Sequence, residues 1–161
     1  MSDDPKGVPS YVVHLDDVAD KEGTYPPPFD AEKLSIYREV SRAAGSQRLG
    51  LSVERLLPGR RSSFTHAHSK EEEIVYVMAG TCHVRVVEPD QAPREIPLRP
   101  GHCVSFPSGT GIAHTFVNHG TEECTLIVVG ERVPGDGAFY PDDPEYDAHR
   151  ASTQPERHWK R

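Results

Sequence analysis

Hydrophobic and polar residues alternate with a period of two through the middle of the chain. In the first such segment Leu49, Leu51 and Val53 fall on one face, and Ser52 and Glu54 fall on the other. Because successive side chains of a strand point to opposite faces, this alternation predicts a β-strand that ends before a Pro-Gly pair. Seven further segments bounded by turn residues are also predicted as strands: residues 63–68, 73–78, 82–88, 94–98, 103–106, 114–118 and 124–129. Short strands at this spacing predict an all-β fold, an antiparallel sandwich or barrel.

Both ends of the chain lack this regular alternation. Residues 1–45 are predicted to form an irregular N-terminal arm. Its first thirty residues contain the run Pro26-Pro27-Pro28, which predicts an extended segment that adds at most an edge strand. Within the arm, residues 30–45 fit a helix and a strand almost equally well. Residues 132–161 are polar, and we expect a C-terminal tail that packs on the barrel through Phe139 and Tyr140 and then frays. The predicted organisation is therefore an arm (1–45), a barrel core (46–131) and a tail (132–161).

Length and charge narrow the possible partners. The 161 residues fit one domain, and 25 acidic against 18 basic residues argue against a nucleic-acid partner. No apolar run approaches the roughly 20 residues of a membrane helix. The N-terminus also lacks the order of a signal peptide, so we expect a soluble, cytoplasmic protein with no membrane partner. Three cysteines without Cys-x-x-Cys spacing predict neither disulfides nor a zinc knuckle, and are interpreted as small core residues.

Three histidines and one glutamate stand out as candidate metal ligands. His66 and His68 are two residues apart on a predicted strand, so both imidazoles face the same side. Glu73 opens the next strand after a short turn, and a hairpin can bring its carboxylate beside them. His114 would come from a distant strand. This mixture of nitrogen and oxygen ligands suits a divalent transition metal such as Zn, Fe, Mn or Ni, without selecting one.

Other residues are secondary candidates or competitors. Arg55 has the parity of the apolar residues of its strand, and could direct a guanidinium into the barrel mouth to bind a substrate carboxylate. The alternative is a surface arginine. Tyr140 could help to orient a substrate. Glu71 and Glu72 compete with Glu73 for the ligand position.

The spacing of these residues resembles the two sequence motifs of the cupin superfamily. The first motif corresponds here to Gly59, His66, His68, Glu73 and Gly80, and the second to Gly101, Pro107, Gly109, His114 and Asn118. The resemblance spans roughly residues 49–130. It departs from the family pattern in two turns, with six rather than five residues before His66 and four rather than two before His114.

This resemblance implies both a fold and a ligand set. The fold would be an antiparallel double-stranded β-helix, the jelly-roll barrel of cupins. His66, His68, Glu73 and His114 would be the metal ligands, the four motif glycines would occupy turns, and Asn118 would bind backbone groups. Family resemblance also favours a homodimer.

Fold does not determine function, because cupins include dioxygenases, decarboxylases, isomerases, epimerases, lyases and ligand-binding proteins. The leading hypothesis is an enzyme that uses the metal as a Lewis acid on a small polar substrate, such as a hydroxy acid, a keto acid or a sugar derivative. The alternatives are a non-enzymatic small-molecule-binding cupin and an iron-dependent dioxygenase.

Overall fold

The computed structural model describes residues 7–160 and contains every strand predicted for the middle of the chain. In chain order the strands are β1 (Lys21–Glu22), β2 (Ile36–Arg38), β3 (Leu49–Leu56), β4 (Ala67–His68), β5 (Glu73–Ala79), β6 (Cys82–Val87), β7 (Arg94–Leu98), β8 (Cys103–Phe106), β9 (Ala113–Val117), β10 (Cys124–Glu131) and β11 (Ala138–Phe139). Two α-helices, α1 (Val40–Ala43) and α2 (Pro144–Thr153), and two 3-10 turns (Leu15–Asp17 and Pro155–Arg157) complete the chain.

The strands form two antiparallel layers. One is a six-stranded sheet in the order β1-β2-β3-β10-β5-β8, and the other is a three-stranded sheet in the order β7-β6-β9. The short pair β11-β4 continues the second layer, because His66 pairs with His114 in an isolated bridge beside β9. This arrangement confirms the predicted antiparallel jelly-roll barrel.

The space between the layers holds the hydrophobic core. Cys82 and Cys124 are both buried there, as predicted, whereas Cys103 is exposed. The other fully buried core side chains come from both layers: Leu56, Val75, Val77, Val84, Val86, Leu98, Phe106, Phe116 and Leu126. Asn118 closes the base of the core by donating to Leu56 O and Glu122 O, each at 2.8 Å.

All four motif glycines have positive φ, as their turn positions require. Gly80 is the most constrained. A Cβ at this residue would lie 2.3 Å from Glu123 O, so the turn between β5 and β6 admits no side chain.

The two faces of β3 differ in polarity. Val129 of β10 pairs with Leu51 on one side and with Ile74 on the other. These three residues lie on the outer face of the six-stranded sheet, where Leu51 is 36% exposed and Ile74 is 40% exposed. The inner face of β3 carries Ser52 and Glu54, which line a cavity. The apolar parity of β3 therefore faces outward at this end of the barrel.

The N-terminal arm adds β1 at the edge of the six-stranded sheet, in agreement with the sequence. Its first six residues lie outside the described residues. The ambiguous segment 30–45 contains both β2 and the short helix α1. Tyr25 anchors the arm to the barrel by stacking on Phe64, with ring centroids 3.9 Å apart.

The C-terminal tail is more ordered than predicted. Its β11 pairs with β4, and Tyr140 is buried beside the arm, as expected. The prediction that the remainder frays is wrong for α2, whose Tyr146 is buried against Tyr25 and Phe64. The sequence of α2 lacks a wide apolar stripe, and Tyr146 is its one buried residue. Among residues 7–160, no helix is long and apolar enough to cross a membrane.

Candidate metal centre

His66 and His114 lie side by side because their backbones pair. His66 N–H donates to His114 O at 3.1 Å, and His114 N–H donates to His66 O at 2.9 Å. Their ring centroids are 5.1 Å apart. His68 follows two residues after His66, and its ring centroid lies 4.9 Å from that of His66.

Glu73 reaches the histidines from the opposite layer. It is the first residue of β5, and its Oε1 lies 3.1 Å from His114 Nε2. The His114 ring stacks on Phe106, with centroids 3.4 Å apart, which holds the imidazole in one orientation. Ligand atoms of His66, His68 and Glu73 lie within 4.8 Å of one another. The structure thus brings together all four predicted ligands, which we call the quartet.

Hydrogen bonds orient each imidazole for ligation. His66 Nδ1 donates to Phe64 O at 2.8 Å, and His114 Nδ1 faces Ile112 O at 3.4 Å. His68 Nδ1 donates to Asp136 Oδ2 at 2.6 Å. Because Nδ1 of each ring faces a protein acceptor, Nε2 of His66 and His68 is available to a cation, and Nε2 of His114 points at the Glu73 carboxylate. This donor set fits a divalent transition metal.

The charges of the quartet also suit a cation. Burial and, after it, the neighbouring imidazoles of His68 and His114 together lower the pKa of His66 to about 3. Burial alone would raise the pKa of Glu73, but the hydrogen bond with His114 and the nearby imidazoles outweigh it and hold that pKa at about 2. At neutral pH the centre therefore offers a neutral His66 and an ionised Glu73.

A cavity of about 330 Å³ opens beside the quartet and reaches Glu73. The inner faces of β2, β3 and β10 form its walls. Among the described residues that line it, Arg132 is the one basic side chain, whereas five are glutamates: Glu39, Glu54, Glu71, Glu73 and Glu131. A cation at the quartet would be next to a space large enough for a small molecule.

The secondary candidates take other positions. Of the two alternatives for Arg55, the structure shows the surface arginine and not the one in the barrel mouth. Arg55 lies on the outer face of β3 and bonds to Asp20 at 2.7 Å and Glu123 at 3.4 Å. Arg55 shares a face with apolar residues because the outer face of β3, and not the face that lines the cavity, carries them. Tyr140 is buried with its ring centroid 5.9 Å from that of His66, but does not line the cavity.

The competing glutamates have other contacts. Glu71 Oε1 accepts the backbone N–H of Val133 at 2.8 Å. The backbone N–H of Glu72 donates to Glu131 at 3.2 Å. Glu73 is the one of the three that contacts His114, in agreement with the motif spacing.

Sequence reasoning missed Asp136, which lies in the turn before β11. Its Oδ2 accepts from His68, while its Oδ1 accepts the backbone N–H groups of Lys70 at 2.8 Å and Glu71 at 3.2 Å. Burial would raise the pKa of Asp136, but these bonds, led by that from His68, hold it at about 2. An acidic residue in a Pro-Gly-Asp-Gly turn 68 residues after the histidine gives no sequence signal for this contact.

Comparison with known proteins identifies the family. Residues 52–130 match the model of the cupin domain. A crystal structure from Silicibacter pomeroyi, described as a sugar phosphate isomerase from a cupin superfamily, is 32% identical, covers 81% of this chain and 82% of its own, and has a TM-score of 0.73. The chain belongs to the cupin superfamily.

Other cupin-like structures are similar along most of the chain. One from Acidithiobacillus ferrooxidans, provisionally described as a sugar phosphate isomerase, is 26% identical over 83% of each chain with a TM-score of 0.71. The polyketide cyclase RemF from Streptomyces resistomycificus is 27% identical over 91% of this chain and 94% of its own, with a TM-score of 0.62. No curated protein matches this cupin.

We expect Asp136→Asn to weaken metal binding by this cupin about 10- to 100-fold, because His68 loses its charged orienting partner. The asparagine oxygen can still accept from Lys70 and Glu71, so the turn should keep its conformation. Competition with a chromophoric chelator measures the affinity. Glu95→Gln is the matched control, since Glu95 pairs with His119 on the surface at 2.7 Å. Equal affinities in Asp136→Asn and the parent would contradict the assignment.

The contribution of His66 to the stability of the metal-free cupin should fall as the pH falls below 6.5. The unfolded His66 imidazole binds a proton below its ordinary pKa of 6.5, whereas the folded one stays neutral to about pH 3. The unfolded state thus holds the extra proton, and His66 by itself lowers the folding equilibrium constant about tenfold per pH unit in this window. Glu54 acts in the opposite direction, because burial raises its pKa to about 7, so the His66 effect is the difference in slope between the parent and a His66 variant. Glu73 acts in the same direction as His66 only below its ordinary pKa of 4.5.

Urea denaturation between pH 6.5 and 4.5 would measure this effect by comparing the parent with His66→Gln. The variant should lose the His66 part of the slope, whereas His119→Gln should keep it. His68 does not interfere, because its raised pKa makes its stabilisation complete below 6.5. A His66→Gln slope equal to that of the parent would refute the buried neutral imidazole.

Proposed function

We propose that this cupin is a metal-dependent enzyme that acts on a small hydroxylated carbonyl compound. The observation that carries the proposal is the position of the quartet at the wall of the cavity, where Glu73 belongs to both. A purely structural metal site would have no reason to adjoin a space of about 330 Å³. The cavity size is in the usual range for small-molecule sites.

The proposed ligands are His66, His68, Glu73 and His114. The metal is a divalent transition ion, and zinc, iron, manganese and nickel all accept this donor set. When bound, it supplies a Lewis acid that stabilises negative charge developing on a substrate oxygen. His68 and Asp136 keep the centre in position, and Phe106 shields one side of His114 from water.

Two similar structures support a reaction of the isomerase type. The structures from Silicibacter pomeroyi and Acidithiobacillus ferrooxidans are described as sugar phosphate isomerases, the second provisionally. Isomerisation of a hydroxy aldehyde or ketone needs a centre that stabilises negative charge and a base. The quartet adjoins this cavity through Glu73, and glutamates that are not metal ligands also line it. Because five glutamates and one arginine line it, we expect the reacting part of the substrate to be uncharged, with any anionic group near Arg132.

The quartet can be tested through metal content and turnover together. We expect about one divalent transition metal per chain by elemental analysis, and near-complete loss of it in His114→Ala and His66→Ala because each removes a ligand. Turnover is assayed by NMR as the incorporation of deuterium next to the carbonyl of hydroxy aldehydes, ketones and keto acids. This incorporation should disappear when the metal is lost.

His119→Ala is the control, because His119 is exposed, follows the end of β9 away from His114, and pairs with Glu95. It should keep both metal and turnover. Turnover by metal-free protein, or full metal content in His114→Ala, would rule out the proposed centre.

We further propose that the outer face of the six-stranded sheet is covered by a second copy of the chain. Leu51, Val129 and Ile74 form one apolar row across three strands, and Val53, Ile127 and Tyr76 form the next. Leu49 and Met78 extend the patch with exposed fractions of 54% and 50%. A contiguous apolar patch of this kind marks an association surface.

A cytoplasmic location and the lack of a nucleic-acid partner stay predictions from the sequence.

Light scattering should give the mass of a dimer for the parent and of a monomer for Ile74→Lys, because the new charge would be buried without a partner. Ile96→Lys is a matched control on β7, with an exposed fraction of 39% against 40% for Ile74. It should leave the dimer intact. A monomeric parent would exclude this interface.

A further inference from the structure

Glu54 is a cavity carboxylate that the quartet does not use. It lies on the inner face of β3, where Ser35 Oγ donates to its Oε2 at 2.8 Å and Ser52 Oγ donates to its Oε1 at 3.4 Å. Ser35, Ser52 and Glu54 all line the same cavity as Glu73. A partly buried carboxyl group therefore faces the space in which a substrate would lie.

The other carboxylates of the cavity have cationic, backbone or metal-site partners. Glu39 forms ion pairs with Lys21 and Arg42, and Glu73 belongs to the quartet. Glu71 and Glu131 accept backbone N–H groups. Among the described residues of the cavity wall, Glu54 is the glutamate whose carboxylate oxygens accept from side-chain hydroxyl groups. Hydroxyl groups can donate to a carboxylate and accept from a carboxylic acid, so both states of Glu54 can be accommodated.

We propose that Glu54 is the proton-transfer residue of this enzyme, taking a proton from the carbon next to the substrate carbonyl and returning it to the adjacent carbon. This inference rests on the proposed function, since it assigns a base to the same cavity. Ser35 and Ser52 are positioning residues for it.

The proton transfer balances without a further reactant. Glu54 carboxylate takes the proton as the C–H bond breaks, and the electron pair of that bond forms a C=C bond while the carbonyl π pair moves to oxygen. Return of the same proton to the former carbonyl carbon, with transfer of the hydroxyl proton between the two oxygens, gives the isomeric carbonyl compound. No electron acceptor or donor is required.

The charge state of Glu54 suits this role. Burial raises its pKa most, the Glu73 charge adds to the rise and the two serine hydroxyls oppose it, so that the pKa of Glu54 is about 7. Glu39 on the segment after β2 and Glu131 and Arg132 at the end of β10 also border the cavity. A carboxyl group with a pKa near neutrality can both accept and donate a proton.

The experiment uses metal-loaded protein and glycolohydroxamate, a stable analogue that presents two adjacent oxygens and loses a proton when it binds a metal. Calorimetry in buffers of different ionisation enthalpy counts the protons released to solvent. At about pH 8 the parent should release almost none, because Glu54 accepts the proton, whereas Glu54→Gln should release about one per site. Glu88→Gln is the control, since Glu88 pairs with Arg94 and does not line the cavity, and should match the parent.

The parent also provides a test that needs no variant. Its proton release should rise towards about one per site as the pH falls to about 6, because Glu54 is then already protonated. Elemental analysis of Glu54→Gln should show full metal content, since Glu54 is not a ligand. In turnover of any active panel compound, Glu54→Gln should lower kcat at least about 100-fold.

The outcomes separate the two proposals. Equal proton release by the parent and Glu54→Gln, or pH-independent release by the parent, would overturn the role of Glu54 and leave the metal centre standing. Failure of the metal-loaded parent to bind glycolohydroxamate would overturn the proposed function, and this inference with it.

Discussion

The reciprocal backbone hydrogen bonds between His66 and His114 are the contact on which the rest of the centre depends. They join the segment before β4 to β9, and so continue the second layer of the barrel beyond its three regular strands. The same two bonds set the imidazoles side by side. Because side chains alternate along a strand, His68 then faces the same site, and the pairing of β4 with β11 brings Asp136 behind it.

The barrel has an uneven interior. One end is filled by aliphatic and aromatic side chains, whereas the other end is open and lined by serine and glutamate. This division requires Gly50, Ser52 and Glu54 to face inward on β3, which turns Leu49 and Leu51 outward. The same strand therefore explains both the polar cavity and the apolar outer patch. Placing polar residues inside costs stability unless they are hydrogen-bonded, which is consistent with a functional rather than a packing role for this end.

The arm and the tail stabilise the site from outside. Tyr25 of the arm and Tyr146 of α2 pack on Phe64, which lies two residues before His66 and accepts its Nδ1 proton through the backbone carbonyl. The terminal segments thus hold the loop that carries the first ligand. Their contribution was invisible in the sequence, because aromatic residues distant in the chain meet only after the barrel has formed.

The sequence by itself determined the strands of the barrel, its family and the four residues that converge, because strand alternation and turn glycines act over a few residues and leave a local pattern. Tertiary structure alone decided which face of β3 lines the cavity, and so decided between the two alternatives for Arg55. It also decided that Asp136 supports His68, that Glu54 borders the same cavity as Glu73, and that α2 packs on the arm. Those relations depend on contacts between segments that are far apart in the chain. The alternation of residues along a strand shows that the strand has two different faces, but it does not show which face is inside the barrel.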